Sequence, residues 1–247
     1  MKFKVLIEYD GTKYSGWQKQ INTRSVQGTL IESIKKVFSN VKGDDRFIDL
    51  QGSGRTDSGV HALEQTAHME CITNLSPEIL KIKINDELPS DINILKIIKV
   101  KNNFHARHSA KSRQYLYRIS TRRTAFQKRY VWWIKDKLEL EKMQKVSELF
   151  LGMHNFKSFA DLKNSSESAK VKVESLTIES DDEFILIRIK ASHFLWKMVR
   201  RIVGVLVEAG RGKMNIDNVE SFLNSYSNEP SKFTAPPSGL FLEKVFY

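Results

Sequence analysis

The chain has 247 residues, 40% hydrophobic and 28% charged, enough for one large core or two smaller ones and ordinary for a globular protein. Its 40 Lys and Arg against 29 Asp and Glu leave a formal charge of +11, which favours nucleic acid or an acidic surface as partner, with a merely solubilising basic surface as the alternative. Cys71 is the single cysteine, which excludes an intramolecular disulfide and a cysteine-based zinc site and fits a reducing, cytoplasmic setting. No apolar run is long enough to span a membrane, and the one in "MKFKVLIEYDG" is too short for a secretion leader.

In chain order, residues 2–9 alternate and predict a strand with Phe3, Val5, Ile7 and Tyr9 on one face. Residues 25–38 place Val26, Leu30, Ile31, Ile34, Val37 and Phe38 at spacings of three and four, a helix with Ser25 as its N-cap. Residues 47–56 read as extended up to the glycines, and 64–73 as a strand returning from them. The segment 76–88 opens with Ser then Pro, a helix start, and 92–100 is a strand. This order, β-α-β-β-α-β, is the split βαβ pattern of ferredoxin-like and RRM-like folds.

From residue 112 the order repeats. A strand is expected over 112–120, and a helix over 139–151 with Met143, Val146, Leu149 and Phe150 on one side. A hairpin of 173–180 and 183–191 turns at Asp181-Asp182. The helix 194–210 carries Phe194, Leu195, Met198, Val199, Ile202, Val203 and Leu206 as its apolar stripe; a shorter helix over 215–226 and a last strand over 239–247 follow. The polar segment 161–172 is expected to be a loop. Two related halves, 1–104 and 105–247, with their boundary inside 101–111, imply an α+β fold of antiparallel sheets, each covered by helices on one face.

Chemistry concentrates in "GSGRTDSGVHA", residues 52–62. Gly52, Gly54 and Gly59 surround one acid, Asp57, with Arg55 two residues before it. An aspartate among glycines is most often a turn residue bonding its own backbone. Glycines also let the main chain approach a ligand closely, and in an extended segment Arg55 and Asp57 project to one side. A guanidinium beside a carboxylate favours its charged form, ready as base or nucleophile. Asp57-Ser58-Gly59 also matches half of an aspartic protease site, but such enzymes need two carboxylates sharing a proton. No second Asp-Ser/Thr-Gly exists, because Asp10-Gly11-Thr12 has the order reversed.

A second basic stretch, 109–123, puts Lys111, Arg113, Tyr115 and Tyr117 two residues apart on one strand face. It reads either as an amphipathic strand with half-buried tyrosines, or as a platform on which a base stacks beside phosphate contacts. Arg122, Arg123, Lys128 and Arg129 extend the cationic track. In the helix 194–210, Lys197, Arg200 and Arg201 lie off the apolar stripe and are expected mostly in solvent, with an arginine on the flank able to reach into an inter-domain cleft. His61, His68, His105 and His108 stand apart from carboxylates in sequence, so no metal site is expected. No phosphate-binding Gly-Lys-Ser/Thr loop, dinucleotide fingerprint or Ser/His/Asp motif is present.

Taken together, "YDGTKYSGWQKQ" (9–20), "SVQGTLIESI" (25–34), "GRTDSGVHALEQTAH" (54–68), "LPSDINI" (88–94), "FHARHSAKSRQYLYRI" (104–119), "FLWKMVRRIVGVL" (194–206) and "PPSGLFLEKVFY" (236–247) resemble the TruA family of tRNA pseudouridine synthases, almost end to end. The resemblance implies two related α+β halves forming one continuous antiparallel sheet with a basic catalytic cleft, in a cytoplasmic homodimer. It implies isomerisation of uridine to pseudouridine in the anticodon stem-loop of tRNA, without cofactor, metal or protein partner. By motif, Asp57 is the catalytic carboxylate, which either attacks a carbon of the nucleotide or removes a sugar proton. Tyr115 stacks on the target base, Arg200 pairs with Asp57, and Arg55 holds the extruded nucleotide; Arg113 and Lys111 supply further substrate contacts. The chain departs from the family pattern at Asn155 and Lys172.

Overall fold

The alternation in residues 2–9 becomes strand β1 (Lys2–Tyr9), in which Phe3, Val5, Ile7 and Tyr9 are all buried. This computed structural model describes residues 1–40, 44–162 and 168–247. After β1 come α1 (Val26–Ser39), β2 (Arg46–Gly52), β3 (His61–Ile72), α2 (Pro77–Glu87), β4 (Ile92–Val100), β5 (Ser112–Ser120), β6 (Trp132–Trp133), α3 (Leu140–Glu148), β7 (Gly152–Asn155), β8 (Lys170–Ser180), β9 (Phe184–Ala191), α4 (Met198–Gly210), α5 (Ile216–Asn224) and β10 (Leu240–Phe246). The result is a mixed α+β protein. It divides into two units, Met1–Lys111 with Phe241–Tyr247, and Ser112–Leu240.

In the first unit β1 lies between β3 and β4, antiparallel to both. The long strand β3 has two partners on its other edge: β2 runs antiparallel along Ala67–Ile72, and β10 runs parallel beside His61 and Ala62. Both helices begin as their capping residues predict. Ser25 Oγ accepts from the Gly28 N–H and Ser76 Oγ from the Ile79 N–H, with Pro77 in the first turn. Leu30, Ile34 and Val37 of α1, and Leu80 and Ile84 of α2, enter the core with the buried face of β1, whereas Ile82 of α2 stays exposed. Apolar burial on this scale is the main stabilising contribution to the unit.

The second unit has the strand order β5-β9-β8-β7, all antiparallel, with β6 parallel to the end of β5. The β8–β9 hairpin turns where expected. Asp181 Oδ1 accepts from the backbone N–H groups of Glu183 and Phe184 at 2.9 and 2.7 Å, the local bonding for which aspartate is favoured in turns.

Three expectations change. The helix read as 194–210 starts only at Met198, because Lys197 takes a left-handed conformation (φ 63°) that a helix cannot continue through. Phe194 and Leu195 therefore belong to the loop before it. The sheets are not wholly antiparallel, since β10 on β3 and β6 on β5 are parallel. Of the loop expected over 161–172, residues 163–167 lie outside the described residues, and 170–172 already form the start of β8.

Candidate active site

Asp57 lies on the loop that joins β2 to β3, and this loop is held mainly by main-chain bonds to the segment following β1. The Trp17 N–H donates to Thr56 O at 3.0 Å, and the Gly59 N–H donates to Tyr14 O at 3.4 Å. Ser58 Oγ reaches the same Tyr14 carbonyl at 3.1 Å, while the Val60 N–H closes a tight turn on Asp57 O at 3.1 Å. Tyr9 Oη and Thr56 Oγ1 share a buried hydrogen bond of 2.8 Å. On the near side, Ser53 Oγ donates to Gln65 Oε1 and Gln65 Nε2 to Gly54 O. Asp57 is thereby carried, half-buried, on a main chain fixed at both flanks.

The glycines divide into distinct roles. Gly59 has φ 77°, which the turn behind Asp57 requires. Gly16 has φ 100°, and a Cβ there would stand 2.6 Å from Thr56 O, so its lack of a side chain lets the two segments meet. Gly52 lies against the buried Trp17 ring, whereas a Cβ at Gly54 would meet open space. The side of the loop that a ligand can approach is therefore the Gly54 side. Arg55 is exposed beside it, its Nε donating to Gln18 Oε1 at 3.1 Å. Lys111, the remaining cation assigned to this unit, is exposed, and its backbone N–H donates to Phe246 O at 2.8 Å.

The other residues singled out in the sequence sit in the second unit. Tyr115 is half-buried on β5, and its ring meets the edge of Phe194 at 5.0 Å and 85°. Arg113, two residues earlier, donates from Nη1 to Ser192 O at 3.1 Å. Tyr117, read with Tyr115 either as half-buried or as part of a stacking platform, is completely buried, and its hydroxyl donates to Pro236 O at 2.8 Å. Burial raises the Tyr117 phenol pKa well above its usual value, against the opposing charge of Arg200. Arg200 is half-buried in the first turn of α4, where its Nε donates to Ala235 O at 2.6 Å.

The neighbouring cation corrects the sequence reading most. Arg201 was expected in solvent but is only 6% exposed, bonded to Asp161, and Lys197 Nζ holds the other carboxylate oxygen at 2.6 Å. Burial acts to push the Asp161 carboxyl up. The hydrogen bond from Lys197 and the charges of Arg201 and Lys197 outweigh it and hold the carboxyl below its usual range. Nothing in local sequence pairs residue 161 with 197 and 201; an arginine bordering an apolar stripe was the only available hint.

The histidines are also less separate than their spacing suggests. The rings of His68 and His105 lie 4.6 Å apart and those of His105 and His108 4.3 Å apart. His68 is buried, and its Nδ1 accepts from the Ala106 N–H. Burial first, then His105 and Lys2, lower the His68 pKa; burial, His108, Lys2 and Arg107 lower that of His105. Among the described residues no group of three or more His, Cys, Asp or Glu side chains is arranged to hold a metal ion. No helix among them is long and apolar enough to cross a membrane.

A basic α+β chain with one carboxylate on a fixed loop, and an aromatic ring two residues from an arginine on a separate strand, has the parts of an enzyme acting on a nucleic acid. Residues 5–109 and 146–247 match the family described as tRNA pseudouridine synthase. Relatives named "tRNA pseudouridine synthase A" from Clostridium botulinum (strain Eklund 17B / Type B) and Thermoanaerobacter sp. (strain X514) are 38% and 40% identical, each over 98% or more of both chains. A third of the same name, from Thermodesulfovibrio yellowstonii, is 38% identical over the whole of both. The chain belongs to the tRNA pseudouridine synthase family and is an isomerase of that class.

Proposed function

We propose that this protein converts uridine to pseudouridine in the anticodon stem-loop of tRNA, with Asp57 as its single catalytic carboxylate. In the reaction the N1–C1′ bond breaks, the uracil turns, C5 bonds to C1′, and the C5 proton is released while N1 gains one. No water is consumed, so one carboxylate suffices. The target base must leave its stack, at a cost of about a few kcal/mol, which contacts to the RNA backbone offset. The detached uracil must not escape. Tyr115, with its ring braced edge-on by Phe194, is the surface on which it stacks. Arg200 is the cation that the motif assigns to Asp57, Arg55 holds the extruded nucleotide, and Arg113 and Lys111 contact the phosphates. In this reading 1–104 supplies the catalytic loop, 105–247 completes the substrate site, and the enzyme is a cytoplasmic homodimer without cofactor.

The observation that carries the reading is the Asp57 loop, a main chain fixed on both flanks whose one acid stands beside the open Gly54 and the exposed Arg55. Positioning of this kind is what a reaction on an extruded nucleotide needs. The test is tritium release from tRNA labelled at C5 of uridine. Wild type releases tritium; Asp57→Asn releases none yet still binds tRNA. Release that survives the substitution overturns the assignment.

A further inference from the structure

The loop between β5 and β6 presents a side chain that the reaction does not use. Phe126 is 94% exposed, the most exposed phenylalanine among the described residues. It stands on a fixed turn. The Gln127 N–H donates to Thr124 Oγ1 at 3.3 Å, the Tyr130 N–H donates to Gln127 O at 2.8 Å, and Arg118 Nη2 on β5 reaches Gln127 Oε1 at 3.4 Å. Gln127 thus anchors the turn while its neighbour points outward. Leaving a phenylalanine in water forgoes the stabilisation that burying its ring would bring.

The charges around the ring select its partner. Residues 121–131 contain Arg122, Arg123, Lys128 and Arg129 and no acid. Arg122 is bonded to Glu183, but no carboxylate among the described residues is within ion-pair reach of Arg123 or Lys128, both exposed. An aromatic face between unneutralised cations is complementary to a base beside its phosphates. We propose that this loop is a second RNA contact, separate from the substrate-binding residues assigned above, in which Phe126 stacks on an unpaired base of the tRNA and Arg123 and Lys128 take the flanking phosphates.

The proposal rests on the RNA-modifying reading, and the experiment separates the two. Binding of a full-length unmodified tRNA transcript is measured by fluorescence anisotropy at several salt concentrations, with tritium release followed in parallel. Phe126→Ala is expected to bind about tenfold more weakly, within the range of one lost base–aromatic stack, and to raise KM by the same factor, while Phe126→Trp restores binding. Replacing Arg123 and Lys128 together by Ala lowers the salt slope by about two. Unchanged affinity in Phe126→Ala overturns the proposal. So does a shift of that variant in sedimentation velocity, which marks the ring as a contact with a second copy, or a loss of binding to phosphatidylserine vesicles, which marks a membrane contact. Failure of wild type to release tritium removes the enzymatic reading instead.

Discussion

The Asp57 loop and the entry to α4 are both irregular segments carrying residues assigned to one reaction, yet they are held by different forces. In the first unit, neutral main-chain and hydroxyl bonds to Tyr14, Trp17 and Tyr9 fix the loop, and glycines allow the close approach. In the second, the α4 entry rests on a carboxylate, Asp161, shared by a buried arginine and a lysine in a left-handed conformation. Neutral bonds respond little to pH but strongly to any atom added at the contact. The ionic arrangement tolerates added bulk better and is exposed to acid.

Substituting Gly16 by Ala is expected to break the first arrangement with the largest effect. Strain at φ 100° and displacement of the Thr56 carbonyl together cost about 3–4 kcal/mol, visible as a lower midpoint in urea unfolding and as lost tritium release. Asp161→Asn tests the second arrangement. It leaves Arg201 buried without its counter-charge, and the expected loss is about 3 kcal/mol at neutral pH, partial solvent access to Asp161 keeping it at the low end of the usual range. The pH dependence sharpens the contrast. The folded pKa of Asp161 lies below its ordinary 3.8, so the stabilisation is complete above that value and disappears as pH falls through the folded one. Urea unfolding at pH 6 and pH 3 should show wild type losing more stability on acidification than Asp161→Asn; equal losses would falsify the ionic account. The smallest effects separate two tyrosines on one strand. Tyr117→Phe removes a buried hydrogen bond and lowers stability by about 1 kcal/mol. Tyr115→Phe keeps the ring and should change tRNA affinity by under about 1 kcal/mol; a tenfold loss would assign the holding to the hydroxyl.

Periodicity made most of the elements legible. Strand β1, helices α1 and α2 and the β8–β9 hairpin lie within a few residues of their predicted limits, because β1, α1 and the hairpin carry an uninterrupted pattern and α2, whose Ile82 and Ile84 alternate, is marked by Ser76 and Pro77 at its start. The start of α4 was not legible, because Phe194 and Leu195 fit the helical stripe while the backbone at Lys197 breaks it. Strands β6 and β7, of two and four residues, are too short to show a period. In the candidate site, Asp57 stood out through its glycines. The role of Tyr14 and Trp17 as the loop's anchors did not, since about forty residues separate the partners. The same distance effect hid the His68–His105 contact and the Arg201–Asp161 pair. Tyr115 and Tyr117 share a strand face by parity, but burial changes along that face, so the alternation rule could not tell platform from core. The two departures, Asn155 and Lys172, fall on the neighbouring strands β7 and β8 of the second unit.

The parallel strand β10 has a consequence for how the molecule is made. Phe241 stacks on His61 just after the Asp57 loop, and the Tyr247 hydroxyl donates to Ala106 O, so the last residues complete the first unit, with all of Ser112–Leu240 inserted between its parts. During vectorial synthesis that unit emerges first but acquires its final strand last, whereas the inserted unit is continuous and can form without waiting. The long sequence separation makes the closing contact entropically expensive and slow. Completion of the strand beside the Asp57 loop therefore waits until the whole of the inserted unit has been made.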